Sequence, residues 1–209
     1  MRVVAALEDC NQRGGRMLSI VDLVDAGTVD MPLAAYLAAA MQRGASLLVG
    51  ASPGGAGKTT VMCALLNFLP RGMTVRVMDG AASFAAAHSD APGSTCHLAH
   101  EIGAGNYYAY IWGASARALF ALAAAGHTVA SNLHADTLEH TYAQLCGENA
   151  VPRAHVQAVA LKLFISVAGR QRRVVSVYEC TQHAERLVWQ LTPHGFVRQE
   201  HSRLVTPAD

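Results

Sequence analysis

The stretch SLLVGASPGGAGKTT, residues 46 to 60, constrains this chain more than any other. A short apolar run enters a loop of small residues, and a helical pattern, KTTVMCALLNFL, leaves it. Buried strand, glycine-rich turn and helix are the setting in which successive backbone N–H groups form an anion cradle. Pro53, Gly54, Gly55, Ala56, Gly57, Lys58, Thr59 and Thr60 supply the parts. Glycines permit the inward turn, and the helix starting near Lys58 adds the positive end of its dipole. Lys58 is placed to reach the β- and γ-phosphates of a nucleotide, and the Thr59 hydroxyl to bind Mg²⁺. The plain alternative is a glycine-rich turn that binds nothing. Ser52 stands where such loops commonly carry their first glycine. That exchange costs on the order of 1 kcal/mol only if the position needs the left-handed region.

Around the loop, strand and helix patterns alternate. RVVAAL near the N-terminus reads as a short strand. Ser19 caps a helix over IVDLVDA that Gly27 closes, and Asp30 caps another, with Pro32 in its first turn. TVRVMD and HTVASNL read as strands, NYYAYIW is β-prone, and SARALFALAAA is helical up to Gly126. DTLEHTYAQLC and PRAHVQAVALK read as two further helices. LFISVAG, RRVVSVYEC and RLVWQL then read as antiparallel strands joined by short turns. Residues 80 to 105, rich in Ala, Gly, Ser and His, give no assignable element. The order indicates an α/β fold with a mostly parallel central sheet flanked by helices and a C-terminal antiparallel hairpin region.

Composition narrows the function. A formal net charge of +1 over 209 residues provides no field that implies nucleic acid. Charged residues make up 15% against roughly 25% in an average globular protein, which fits a chain that buries surface against partners. The five cysteines, none at CxxC spacing, favour a reducing, cytoplasmic setting. No run approaches the ~20 apolar residues of a membrane span. Arg170, Arg172 and Arg173 form the densest basic cluster, and three arginines near a turn read as a solvated loop.

With the loop in place, the surrounding segments resemble the type II/IV secretion and pilus-assembly ATPases. LSIVDLVDAGTVDMPLAAYLAAAMQRGASLLVG is similar to what precedes the loop in that family, and KTTVMCALLNFLP to the helix after it. GHTVASNLHADTLEH resembles the family's histidine box, with His134 at the motif's histidine. VPRAHVQAVALKLFISVAGRQRRVVSVYE is similar to the helix and hairpin that close the motor. The resemblance implies a RecA-like P-loop ATPase domain over residues 18–205; a short extension at 1–17 precedes it, and the family's N-terminal domain is expected to be absent. It further implies ATP and Mg²⁺ as ligands and a hexameric homo-oligomeric ring with head-to-tail interfaces. It also implies membrane-embedded secretion or pilus machinery as partner, and a cytoplasmic location at the inner face of the membrane.

The chain departs from that family where catalysis is concerned. The glutamate expected after the Walker B strand aligns with Ala114 in NYYAYIWGA, and the arginine that follows it with Ala116, although Arg117 lies one residue on. The acidic box reads Met78-Asp79, one acid instead of two. Hydrolysis needs an oriented water and neutralised charge on the transferred oxygens. Lys58 and Thr59 meet the second need. For the first, the candidates are Asp79, expected at a strand's C-terminal end or as a cap, and Glu101, which enters the site from the unassigned segment or is a solvated loop acid. His134 is placed to sense the γ-phosphate, whereas Asp136 and Glu139 belong to the first turn of the next helix. His97, His100 and Glu101 have metal-ligand residue types but lack a fourth ligand at recognisable spacing. The expectation is an ATPase with weakened carboxylates. Its alternatives are a hydrolysis-deficient ATP-binding switch or scaffold of the same family and, further off, a small-molecule kinase.

Overall fold

The computed structural model describes residues 16–52, 54–181 and 184–205, together with Glu8. The expected RVVAAL strand, Pro53 and nearly all of the 1–17 extension lie outside the described residues. Among the described residues one nine-stranded sheet organises the fold. Its strands are β1 (Leu47–Gly50), β2 (Thr74–Val77), β3 (Thr95–Ile102), β4 (Tyr110–Ile111), β5 (Thr128–Leu133), β6 (Leu161–Ala168), β7 (Gln171–Thr181), β8 (Ala184–Thr192) and β9 (Gly195–Arg198). They lie in the order β2-β3-β5-β1-β6-β7-β8-β9. β2, β3, β5, β1 and β6 run parallel, and β7, β8 and β9 follow antiparallel. β4 pairs with the last residues of β3 on the side away from β5, prolonging the β2 edge.

Helices cover both faces of the parallel half. On one face lie α1 (Ile20–Asp25), α2 (Met31–Gln42) and α3 (Lys58–Leu66). On the other lie α4 (Ala81–Ala87), α5 (Ala114–Ala124), α6 (Leu138–Tyr142), a π-helical turn (Ala143–Glu148) and α7 (Arg153–Gln157). Strand alternation sorts the core: Leu47 and Val49 of β1 join Leu37, Met62 and Leu65, while Leu48 joins Phe120, Val129 and Val156. Coverage on both faces explains why β1 and β5 are buried at every position and why β1 reads as a continuous apolar run.

The predicted caps are present. Ser19 and Asp22 form a reciprocal capping box on α1, and the Asp30 carboxylate accepts from the Leu33 N–H of α2. Three expectations need correction. The segment at 80–105 is not irregular: it holds α4 and the wholly buried β3. The β-prone NYYAYIW contributes only the two-residue β4, so the strand beside β5 is TCHLAHEI. The helix over PRAHVQAVALK stops at Gln157, and Leu161 and Lys162 open β6, drawn into the sheet by parallel pairing with Leu47 and Leu48. Among the described residues no helix is long and apolar enough to cross a membrane.

Candidate nucleotide site

Parallel strands bring their C-terminal ends to one edge of the sheet, where α/β proteins place ligands. Register makes this concrete. Gly50 pairs with Leu133, Leu133 with Ile102 and Ile102 with Ile111, so β1, β5, β3 and β4 end in step. The loop after β1, His134 after β5, and Glu101 with Tyr110 therefore meet. Gly55 and Gly57 adopt φ of +77° and +90°, which bends the loop back onto the start of α3. Ser52 is not among the non-glycine residues with positive φ, so it carries no left-handed strain. Its hydroxyl donates instead to Asp136 at 2.6 Å, tying the loop to the segment after β5. That bond and the His140 contact hold the Asp136 carboxyl below its ordinary range. Asp136 precedes the α6 cap, Thr137, whereas Glu139 does lie in the first turn.

Lys58 is buried, and its Nζ lies 3.2 Å from Glu101 Oε1. His134 Nε2 is 2.7 Å from the same oxygen. Its Nδ1 lies 3.3 Å from the Ser52 carbonyl and 3.4 Å from Lys58 Nζ. Tyr110 donates to Glu101 Oε2 at 3.1 Å. Among the described residues nothing makes an aligned hydrogen bond to Oε1, so acceptor capacity remains on a carboxylate that is 7% exposed.

Thr59 sits in a second cluster. Asn132 Nδ2 donates to Thr59 Oγ1 at 3.2 Å and to the His100 carbonyl at 2.8 Å. Thr59 Oγ1 is 3.3 Å from His100 Nε2. Burial lowers the His100 pKa, against a smaller pull from Glu101, and in the tautomer whose Nε2 is bare the ring accepts the Thr59 proton. Thr59 then keeps one lone pair for a cation. Residues 54–61 line a cavity of about 690 Å³ together with Arg16, Met17, Leu18, Leu23, Thr28, His100, Glu101, Tyr107, Tyr110, His134 and Arg172. Left-handed glycines at 55 and 57, a buried lysine at a helix start, a threonine hydroxyl beside it and a carboxylate with spare acceptor capacity fit a Mg²⁺-nucleotide.

A RecA-like sheet with a phosphate-type loop at its switch point has known counterparts. The VirB11 ATPase from the Brucella suis type IV secretion system, solved in complex with sulphate, is similar with a TM-score of 0.54 and 19% sequence identity. The match covers 83% of this chain and 62% of that one, so this chain spans less than two thirds of its counterpart. The likeness is one of fold. No protein-family model matches the chain, and no curated protein does.

Of the residues singled out in the sequence, Lys58, Thr59, Glu101 and His134 come together. Asp79 does not. It is exposed beyond the end of β2, with β3 and β5 between that strand and β1. Arg117 is also elsewhere, donating to the Asn149 carbonyl at 2.9 Å, and Ala114 is exposed at the start of α5. His97 belongs to another cluster, 3.4 Å from His127. Glu101 is no solvated loop acid but a strand residue aimed at the loop. Sequence reasoning missed His100's bond to Thr59, Asn132, Tyr110 and Arg172. Asn132 carried a faint signal, a polar residue inside a buried strand, and Arg172 stood in the densest basic cluster, which reads as a solvated loop.

Proposed function

We propose that this chain binds MgATP over residues 54–60 and hydrolyses it slowly, coupling binding to a conformational change within a hexameric ring of its own copies. The observation that carries the reading is the Lys58–Glu101–His134 constellation at the head of α3. In it, Lys58 and the loop N–H groups hold the β- and γ-phosphates, and Thr59 contributes its free lone pair to Mg²⁺, which would neutralise phosphate charge. Glu101 orients the attacking water, a task for which its spare acceptor capacity suits it, and His134 holds the carboxylate in place and reports on the γ-phosphate. The fold likeness to a type IV secretion ATPase supports a ring working with membrane-embedded secretion or pilus machinery at the inner face of the membrane.

One observation favours a second reading. Glu101 already occupies Lys58, so the γ-phosphate must displace it. A carboxylate parted from the loop in this way would make the chain an ATP-responsive switch that barely turns over. MgATP calorimetry and steady-state phosphate release on one preparation, with Lys58→Ala as control, separate the readings. Micromolar-range binding with slow release, both lost in Lys58→Ala, is expected. Binding without release, in assembled rings as in monomers, selects the switch; no binding at all rejects both.

A further inference from the structure

We infer that Arg172, on the hairpin between β6 and β7, binds the polyphosphate in cis and completes its charge neutralisation. The inference rests on the nucleotide reading above and adds a residue to it. β6 lies beside β1, and the last pair of that ladder is Gly50 with Phe164. The loop leaves β1 there, but β6 continues from Ile165 to Ala168, about 13 Å further at strand rise. The chain then turns, and Arg172 pairs with Val167 on the way back. The hairpin tip thus overhangs the loop.

The side chain uses that position. Arg172 Nε donates to the Gly55 carbonyl at 3.1 Å, and an Nη1 bond to the Arg170 carbonyl at 3.3 Å braces the guanidinium. Its Cδ would lie 3.4 Å from a Cβ built on Gly57, so the chain crosses the loop at van der Waals distance. The neighbouring Arg173 goes elsewhere, to the Gly27 carbonyl and over the Phe196 ring. The base of the hairpin is held by Val174 N–H donating to the Thr28 carbonyl at 2.9 Å.

Charge accounting favours an anion as its partner. Among the described residues three cationic side chains line the cavity: Arg16, Lys58 and Arg172. Arg16 pairs with Asp22, and Lys58 with Glu101. Among the described residues Arg172 has no carboxylate partner. A guanidinium with donors left over, fixed across a phosphate-type loop, suits bidentate oxyanion binding.

The test is MgATP titration calorimetry on wild type, Arg172→Ala, Arg172→Gln, Arg172→Lys and Lys58→Ala, with thermal melting of each nucleotide-free protein. Loss of a charge-assisted contact predicts roughly ten- to a hundredfold weaker MgATP binding in Arg172→Ala and Arg172→Gln. Arg172→Lys should recover part of the affinity as a point charge, and the nucleotide-free Arg172 variants should melt within a degree or two of wild type. Wild-type affinity in Arg172→Ala, beside the expected loss in Lys58→Ala, overturns the inference and leaves the nucleotide reading standing. Weakened binding with a matching fall in melting temperature and no recovery in Arg172→Lys makes the arginine a structural brace and also overturns it. If wild type binds no MgATP, both readings fall.

Discussion

Glu101 Oε1 lies 3.2 Å from Lys58 Nζ, although 42 residues separate them and both side chains are nearly buried. The contact places an acid from β3 on the lysine of the loop after β1. It also makes the carboxylate a competitor for that lysine, because the proposed γ-phosphate requires the same ammonium.

Glu101→Gln tests both sides of this relationship. Removing one partner of a buried pair leaves Lys58 uncompensated, so the nucleotide-free protein should lose about 3 kcal/mol or somewhat less, since the cavity admits solvent. MgATP affinity should hold or improve, since the competitor is gone, while phosphate release falls roughly 10²- to 10⁴-fold. Urea unfolding, calorimetry and a release assay read the three effects. Unchanged release would remove Glu101 from the chemistry.

His97 makes stability depend on pH. Burial pushes its pKa down to about 4, outweighing the opposite pull of Asp90, with His127 and Arg76 adding to the fall. In the unfolded chain an ordinary histidine titrates near 6.5. Between those values the unfolded state binds more protons, so this contribution is complete above about 6.5 and is lost as pH falls toward 4. The loss should be on the order of 2 kcal/mol by the acid end. Urea midpoints measured from pH 7 to 4.5 should decline in wild type and decline less steeply in His97→Gln, where the lowered His100 remains. Equal slopes in the two proteins would exclude His97 as the source.

Glu179, fully buried in β7, ties the C-terminal segment to α2. Its carboxylate accepts from Tyr36 OH at 3.0 Å, Ser202 Oγ at 2.6 Å, and the N–H groups of Arg203 at 2.6 Å and Leu204 at 3.1 Å. Glu179→Ala strands those donors and should cost about 3 kcal/mol or more, read as a drop in the urea midpoint. Protease susceptibility near residue 202 should rise with it. A wild-type cleavage pattern would show that the segment is held by other contacts.

Gly50→Ala should damage the site from beneath. A Cβ there would stand 2.3 Å from the Ala135 carbonyl oxygen and 2.9 Å from the Phe164 ring. Overpacking of this kind costs roughly 1–3 kcal/mol. The backbone oxygen that must yield belongs to the residue before Asp136, which anchors Ser52. Weaker MgATP binding should therefore accompany the lower melting temperature. A stable variant with wild-type affinity would contradict the close approach.

Legibility differed from segment to segment. The loop and α3 were readable because their roles follow from contiguous residues: glycines for the turn, lysine and threonine at the helix start. The caps at Ser19 and Asp30 were readable for the same reason. β3 was not. TCHLAHEI is buried at every position, yet its histidines and glutamate break any apolar run. Its polar side chains are tolerated inside because distant residues meet them: His127 beside His97, Thr59 and Asn132 around His100, and Lys58 with His134 at Glu101. Asp79 illustrates the converse. Placing it after a strand was sound, but only the strand order shows that strand to be at the sheet's edge.

Local order along the chain thus dictated the alternation of strands and helices, the phosphate-type loop and its lysine, since each depends on neighbours within a few residues. Which carboxylate faces that lysine, and which arginine crosses the loop, was settled by packing. β3 and β6 are far apart in sequence, and pairing through β5 and β1 sets them in register with the loop's strand. A shift between Leu98 and Glu101 in the pairing of β3 with β5 then brings Glu101 opposite Asn132 and Tyr110. Side-chain direction in a strand reverses with every residue, so a change of register by one position would carry Glu101 to the opposite face. That register is a property of the assembled sheet, and no local stretch of sequence encodes it.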